Sequence, residues 1–258
     1  RFVLHTDPSP RSILNGVGAK AYILPGTAAS GMEGTYSTPT RNASPRFRSV
    51  AVPAAVLVGV NIALMYLVAA TPLSAVNDLL FSVPILGLIV YGAALTGGNI
   101  AAERGLRSGS MGLAALGTVL LQVAYGLFGG GVLGRAPADL RGTLLAVTLA
   151  VTVAMTVAIA AYVYLRDAEF DHWGTWSFGA FIVGAVLVLV GSFVTVVLAV
   201  GFLFIFLGFA LRLGYEIWHV KANYDPDSAL VHALGIYVAF TGVFVHVLQI
   251  ALRMFAER

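Results

Sequence analysis

The side chains able to do chemistry are few. The histidines are His5, His172, His219, His232 and His246. His232 and His246 stand fourteen positions apart, so whole helical turns bring them onto one helix face. That spacing suits a pair that brackets a haem in a membrane bundle, which also needs a second pair on a facing helix. No other apolar stretch carries an internal histidine, so the sequence predicts no haem. Cysteine is absent, which excludes disulfides and thiolate metal sites. The chain has no HExxH, no G-x-S-x-G and no P-loop. Nothing supplies a nucleophile with its base, or a metal-ligand set. The sequence therefore predicts no enzyme, no catalytic residue, no metal and no cofactor.

Ionisable groups within apolar stretches are costly and are candidates for function. Glu216 follows a long apolar run, and Arg212 lies four residues before it on the same helical face. Two readings stand: a self-paired couple at the membrane interface, or the wall of a polar pocket or ion path. His246 and Gln249 lie one turn apart and are expected to make interhelical hydrogen bonds. Asn61 and Gln122 are the other notable neutral polar groups.

The elements that must position these groups are membrane helices. Of the residues, 59% are hydrophobic and 10% charged, against roughly 25% charged in a soluble domain. Lipid must be the outer solvent. The net charge of +3, without a basic run interleaved with aromatics, gives no case for nucleic acid. Apolar blocks cover 50–70, 79–97, 109–131, 143–165, 174–190, 193–213 and 229–254. Each approaches the roughly 20 residues of a spanning helix. Gly191-Ser192 divides the fifth from the sixth, and the joined stretch is too long for one span, so a tight hairpin is expected there. The run Gly126–Gly131 and the series Gly179, Gly184, Gly191 predict close helix approach.

Residues 1–49 form a separate polar arm with Pro8, Pro10, Pro25, Pro39 and Pro45. Its bases are Arg1, Arg11, Lys20, Arg41, Arg46 and Arg48, against Asp7 and Glu33. Acid-poor, Arg- and Ser-bearing segments suit organelle-targeted N-termini, and an ordinary polar tail is the equal alternative. Arg41, Arg46 and Arg48 are expected at lipid headgroups. With the N-terminus inside, 11 of the 15 bases fall on inside segments, which favours N-inside and an odd number of spans.

The chain from about 50 to 255 resembles the Bax inhibitor-1 (TMBIM) family, in its YccA-like or mitochondrial branch. The stretch Ala233-Leu234-Gly235-Ile236-Tyr237-Val238-Ala239-Phe240-Thr241-Gly242-Val243-Phe244 is similar to the family's small–Leu–x–Leu–Tyr–Leu–Asp–x–x–Asn–Leu–Phe pattern. Tyr215-Glu216 stands where the family has Tyr-Asp. Glu169-Phe170 with Gly174 resembles the family's approach to its fifth span, and 109–160 resembles its Gly-bearing and Thr-punctuated helices. The resemblance implies an all-α polytopic fold of about seven transmembrane helices, and it adds Tyr215 and Tyr237 to Glu216 and Arg212 as ion-path candidates. Members that leak calcium with pH are thought to share a proton between two facing carboxylates. Here Glu216 holds the first position and Ala239 the second, so the pair is incomplete.

Two functions are therefore expected. One is a noncatalytic structural or accessory subunit of a mitochondrial inner-membrane assembly, in contact with lipids and other integral membrane subunits. The other is a calcium or proton leak or exchanger that uses Glu216.

Overall fold

A segment crossing lipid must satisfy its own backbone hydrogen bonds, and a helix does so within itself. The computed structural model describes residues 43–82 and 84–256, and all regular structure among them is helical. The helices are α1 (Ala43–Ala69), α2 (Ser74–Phe81), α3 (Pro84–Ser108), α4 (Met111–Gly134), α5 (Arg141–Leu165), α6 (Asp171–Gly191), α7 (Thr195–Asn223) and α8 (Ala229–Ala256), with a 3₁₀ turn at Pro226–Ser228. All but α2 are long and apolar enough to cross a membrane, which makes seven. The chain is an all-α polytopic membrane protein.

Several boundaries differ from the sequence expectation. The polar arm was expected to reach residue 49, but α1 already begins at Ala43. The arm up to residue 42 lies outside the described residues. The second span was expected over 79–97. Instead α2 ends at Phe81, and α3 starts at Pro84 and runs to Ser108. Proline suits a first helical position, where its missing N–H costs nothing, and it disfavours helix in the residue before it. At the far end Gly109 takes φ +73°, the left-handed conformation that terminates a helix cheaply only at glycine. The sixth span was expected to stop at 213, yet α7 continues to Asn223. Glu216 and His219 thus lie on α7.

Close packing follows the glycines, because apolar helices in lipid associate through van der Waals contact and small residues permit it. A Cβ on Gly117 would meet the backbone of Ala102 and Gly98 in α3. Gly129 and Gly130 of α4 lie against Met65 and Val68 of α1. The hairpin expected at Gly191-Ser192 is present, its turn spanning 192–194, with Gly184 against Ile205 and Gly191 against Leu198. Gly179 does not share in this, since a Cβ there would meet nothing within 4 Å.

α8 is the central helix. It packs against α1, α3, α4, α5 and α7. Of its most apolar stretch 67% is buried, against 17–39% in the other spans. A helix apolar all round belongs in the middle of a bundle, and Tyr237, Val243, Phe244, Val245 and Leu248 are almost wholly enclosed. Chain direction alternates, so the start of α1 and the ends of α3, α5 and α7 share one end of the bundle. Ser49 of α1 there bonds Tyr224 at 2.7 Å, and Lys221 of α7 donates to the Val163 and Arg166 carbonyls at 3.0 and 2.9 Å. The lysine thereby satisfies carbonyls left open at the C-terminus of α5.

Candidate functional site

Helices α7 and α8 run antiparallel, and their register fixes the site. His219 faces His232, Glu216 lies against Gly235, and Phe209 lies against Gly242. Continuing the register sets position 212 opposite position 239. Gly235 is the residue that admits Glu216: a Cβ there would come within 2.5 Å of the carboxylate carbon. The Glu216 side chain is buried, and Arg212 Nη2 stands 2.5 Å from its Oε1. The guanidinium also lies over the Tyr215 ring, 5.3 Å from its centroid.

A third helix completes the wall. Asn99, Glu103 and Arg107 of α3 line the same cavity as Arg212, Tyr215, Glu216 and His219 of α7 and Val231, His232, Leu234 and Gly235 of α8; its volume is about 160 Å³. Arg107 Nε donates to Glu103 Oε1 at 2.9 Å. Two carboxylates thus face two guanidiniums, each pair an i, i+4 couple on one helix. The arrangement can hold a charged or hydrated guest at one end of the bundle. Deeper along the α7–α8 seam the polar wall ends. Phe209 packs edge-on against Phe181 at 4.7 Å, and Phe202, Phe206 and Phe209 surround His246.

Of the ion-path candidates, Glu216, Arg212 and Tyr215 are brought together: Arg212 pairs with Glu216, and all three line the cavity. Tyr237 is elsewhere. It is fully buried, and its hydroxyl accepts from Asn61 Nδ2 at 3.3 Å. Asn61 also donates to the Gln122 side-chain oxygen at 2.8 Å, and Gln122 Nε2 donates to the Leu57 carbonyl at 2.9 Å. Tyr125 donates to the Val238 carbonyl at 3.0 Å. This network ties α1, α4 and α8 together in the membrane interior, where an unpaired polar group would be costly.

His246 departs from its expected interhelical role. Its Nδ1 lies 2.8 Å from the Gly242 carbonyl of its own helix, and the rings of Phe202, Phe206 and Phe209 pack near it. Arg48 is exposed near the start of α1. Arg41 and the side chain of Arg46 lie outside the described residues.

Sequence reasoning missed Asn99, Glu103 and Arg107, because it ended the second span at 97. It also matched His232 with His246 along one helix rather than with His219 across a turn. The available signal was the mirrored spacing Glu103–Arg107 and Arg212–Glu216 at two helix ends on the same side.

Residues 50–257 match the sequence model of a family described as Inhibitor of apoptosis-promoting Bax1. No curated protein matches the chain, and no solved structure does. The match covers the seven spanning helices, the Tyr215-Glu216 site and the central α8, and the chain belongs to the Bax inhibitor-1 family.

Proposed function

We propose that this chain is a noncatalytic membrane protein that passes protons or calcium ions through its bundle, with Glu216 as the gating group. The observation that carries the reading is the buried Glu216 carboxylate, which shares a polar cavity with three helices and is closed off by Arg212. Packing alone does not call for a charge in this position, and burying one is expensive. The paired state with its aromatic plug is the closed form. Opening requires Arg212 to leave Glu216 and the Phe209 ring to leave Gly242.

A second reading is favoured by one residue. Ala239 stands opposite Arg212 in the α7–α8 register, where the family resemblance implies a second carboxylate. With that charge missing, the guanidinium neutralises the lone acid, as suits a structural or accessory subunit that packs beside other integral membrane subunits. The proposed location is the mitochondrial inner membrane, supported by the acid-poor, Arg-bearing composition of residues 1–49.

Flux into proteoliposomes separates the readings. Calcium or proton flux by the parent chain that is lost in Glu216→Gln supports the gate. A parent chain that stays at the level of empty liposomes removes the ion path. Purification in mild detergent from native membranes, with the chain migrating in a large assembly, would then support the subunit reading.

A further inference from the structure

Two histidines from different helices meet at the edge of the polar cavity. The Nδ1 atoms of His219 and His232 are 3.5 Å apart. Their ring centroids are 5.1 Å apart and the planes incline by 54°. The rings therefore do not stack, and their Nδ1 atoms approach each other. A separation of 3.5 Å lies outside the roughly 2.7–3.2 Å of a good hydrogen bond. It does match the chord between two nitrogens each about 2.0–2.1 Å from one shared ion, at an angle of about 113–122°, close to tetrahedral.

His232 is 4% exposed and its Nε2 has no hydrogen-bond partner, so Nδ1 is the ring nitrogen with a partner in reach, the Nδ1 of His219. The cavity wall carries two carboxylates and two guanidiniums, paired as Glu103–Arg107 and Arg212–Glu216. The cavity of about 160 Å³ has room for several waters at about 30 Å³ each. No three His, Cys, Asp or Glu residues cluster around one point among the described residues, so water must complete the coordination.

We propose that His219 and His232 hold a first-row transition-metal dication of the zinc type between their Nδ1 atoms, with water in the remaining positions. Two neutral imidazoles select such an ion over calcium or magnesium, which prefer oxygen ligands. Two protein ligands make the site exchangeable rather than structural. This departs from the sequence expectation of no metal, and it does not rest on the ion-path reading, since Glu216 is not a ligand.

The test uses the full chain in detergent, without a polyhistidine tag, titrated with zinc chloride alone by calorimetry. Expected is saturable binding of about one zinc per chain, weakened at least about tenfold in His219→Ala and in His232→Ala and unchanged in His5→Ala and His172→Ala. X-ray absorption of the zinc-loaded parent should show two imidazoles in a nitrogen and oxygen shell, and this readout decides the matter should either variant fail to fold. Absence of saturable binding, binding that survives both substitutions, or a shell with fewer than two imidazoles overturns the proposal. None of these outcomes bears on flux.

Discussion

Arg212 and Glu216 differ in exposure, and this asymmetry makes a sharp prediction. The Glu216 side chain is 7% exposed and that of Arg212 is 38%. Replacing Arg212 by Gln strands a carboxylate in the bundle. A stranded partner in a dry interior costs about 3–5 kcal/mol. The partial exposure of Arg212 lowers this to roughly 2–3 kcal/mol, since solvent already screens part of the pair. Replacing Glu216 by Gln leaves a guanidinium that can reach water and headgroups, at a cost of about 0.5–1 kcal/mol. The double variant loses both charges and should cost about 1 kcal/mol, less than Arg212→Gln alone. Unfolding in mixed micelles with increasing SDS measures all of them, followed by the fluorescence of Trp173, Trp176 and Trp218. Trp218 sits two residues from Glu216 on α7. The reasoning fails if the double variant is less stable than Arg212→Gln, or if Arg212→Gln is no worse than Glu216→Gln.

The same unfolding assay checks the packing. Gly117→Val should lose about 1–3 kcal/mol or more, because its Cβ would lie 2.8 Å from Ala102 Cα. Gly92→Ala, with nothing within 4 Å, should change stability by no more than about 0.5 kcal/mol. Asn61→Leu removes the bonds to Gln122 and Tyr237 and should cost about 1–2 kcal/mol. Lys221→Met frees the carbonyls of Val163 and Arg166 and should cost about 0.5–1 kcal/mol. Because the chain lacks cysteine, a single Cys at Ala138 and another at Asp167 should be labelled from opposite sides of the membrane; labelling of both from one side would contradict the alternating topology.

Much of the fold was legible because hydropathy alone dictates it. A long run of apolar residues has one stable form in lipid, so the number of spans and the hairpin at Gly191-Ser192 could be read directly. Helix ends were less legible. The apolar runs stop near 97 and 213, but the helices continue as far as Ser108 and Asn223. Polar residues extend a helix at no penalty once they can pair along it, as Glu103 with Arg107 and Arg212 with Glu216 do. Composition does not mark such an extension; spacing does. Glu216 and Arg212 were visible as a pair because both lie on one helix. The His219–His232 meeting and the Asn61–Gln122–Tyr237 network were not, because each depends on the register between helices, which no local pattern encodes.

The location of the Arg212–Glu216 pair on a single helix limits what it can do. An ion pair between helices would hold them together, and breaking it would part them. A pair within α7 moves with α7 and contributes nothing to its grip on α8. Closure of the seam therefore rests on shape: Gly235 admitting the carboxylate, Gly242 admitting the Phe209 ring, and three phenylalanines around His246. The ion pair instead sets the charge of the cavity wall. With Arg212 in place, the wall presents a neutral couple; with Arg212 turned away, it presents a carboxylate to whatever fills the cavity. Ala239 strengthens this dependence, since no second acid stands across the seam to draw the guanidinium from Glu216. On the proposed ion path the charge of the cavity wall and the closure of the seam are thus separate requirements, the first met when Arg212 turns away from Glu216 and the second when the Phe209 ring leaves Gly242.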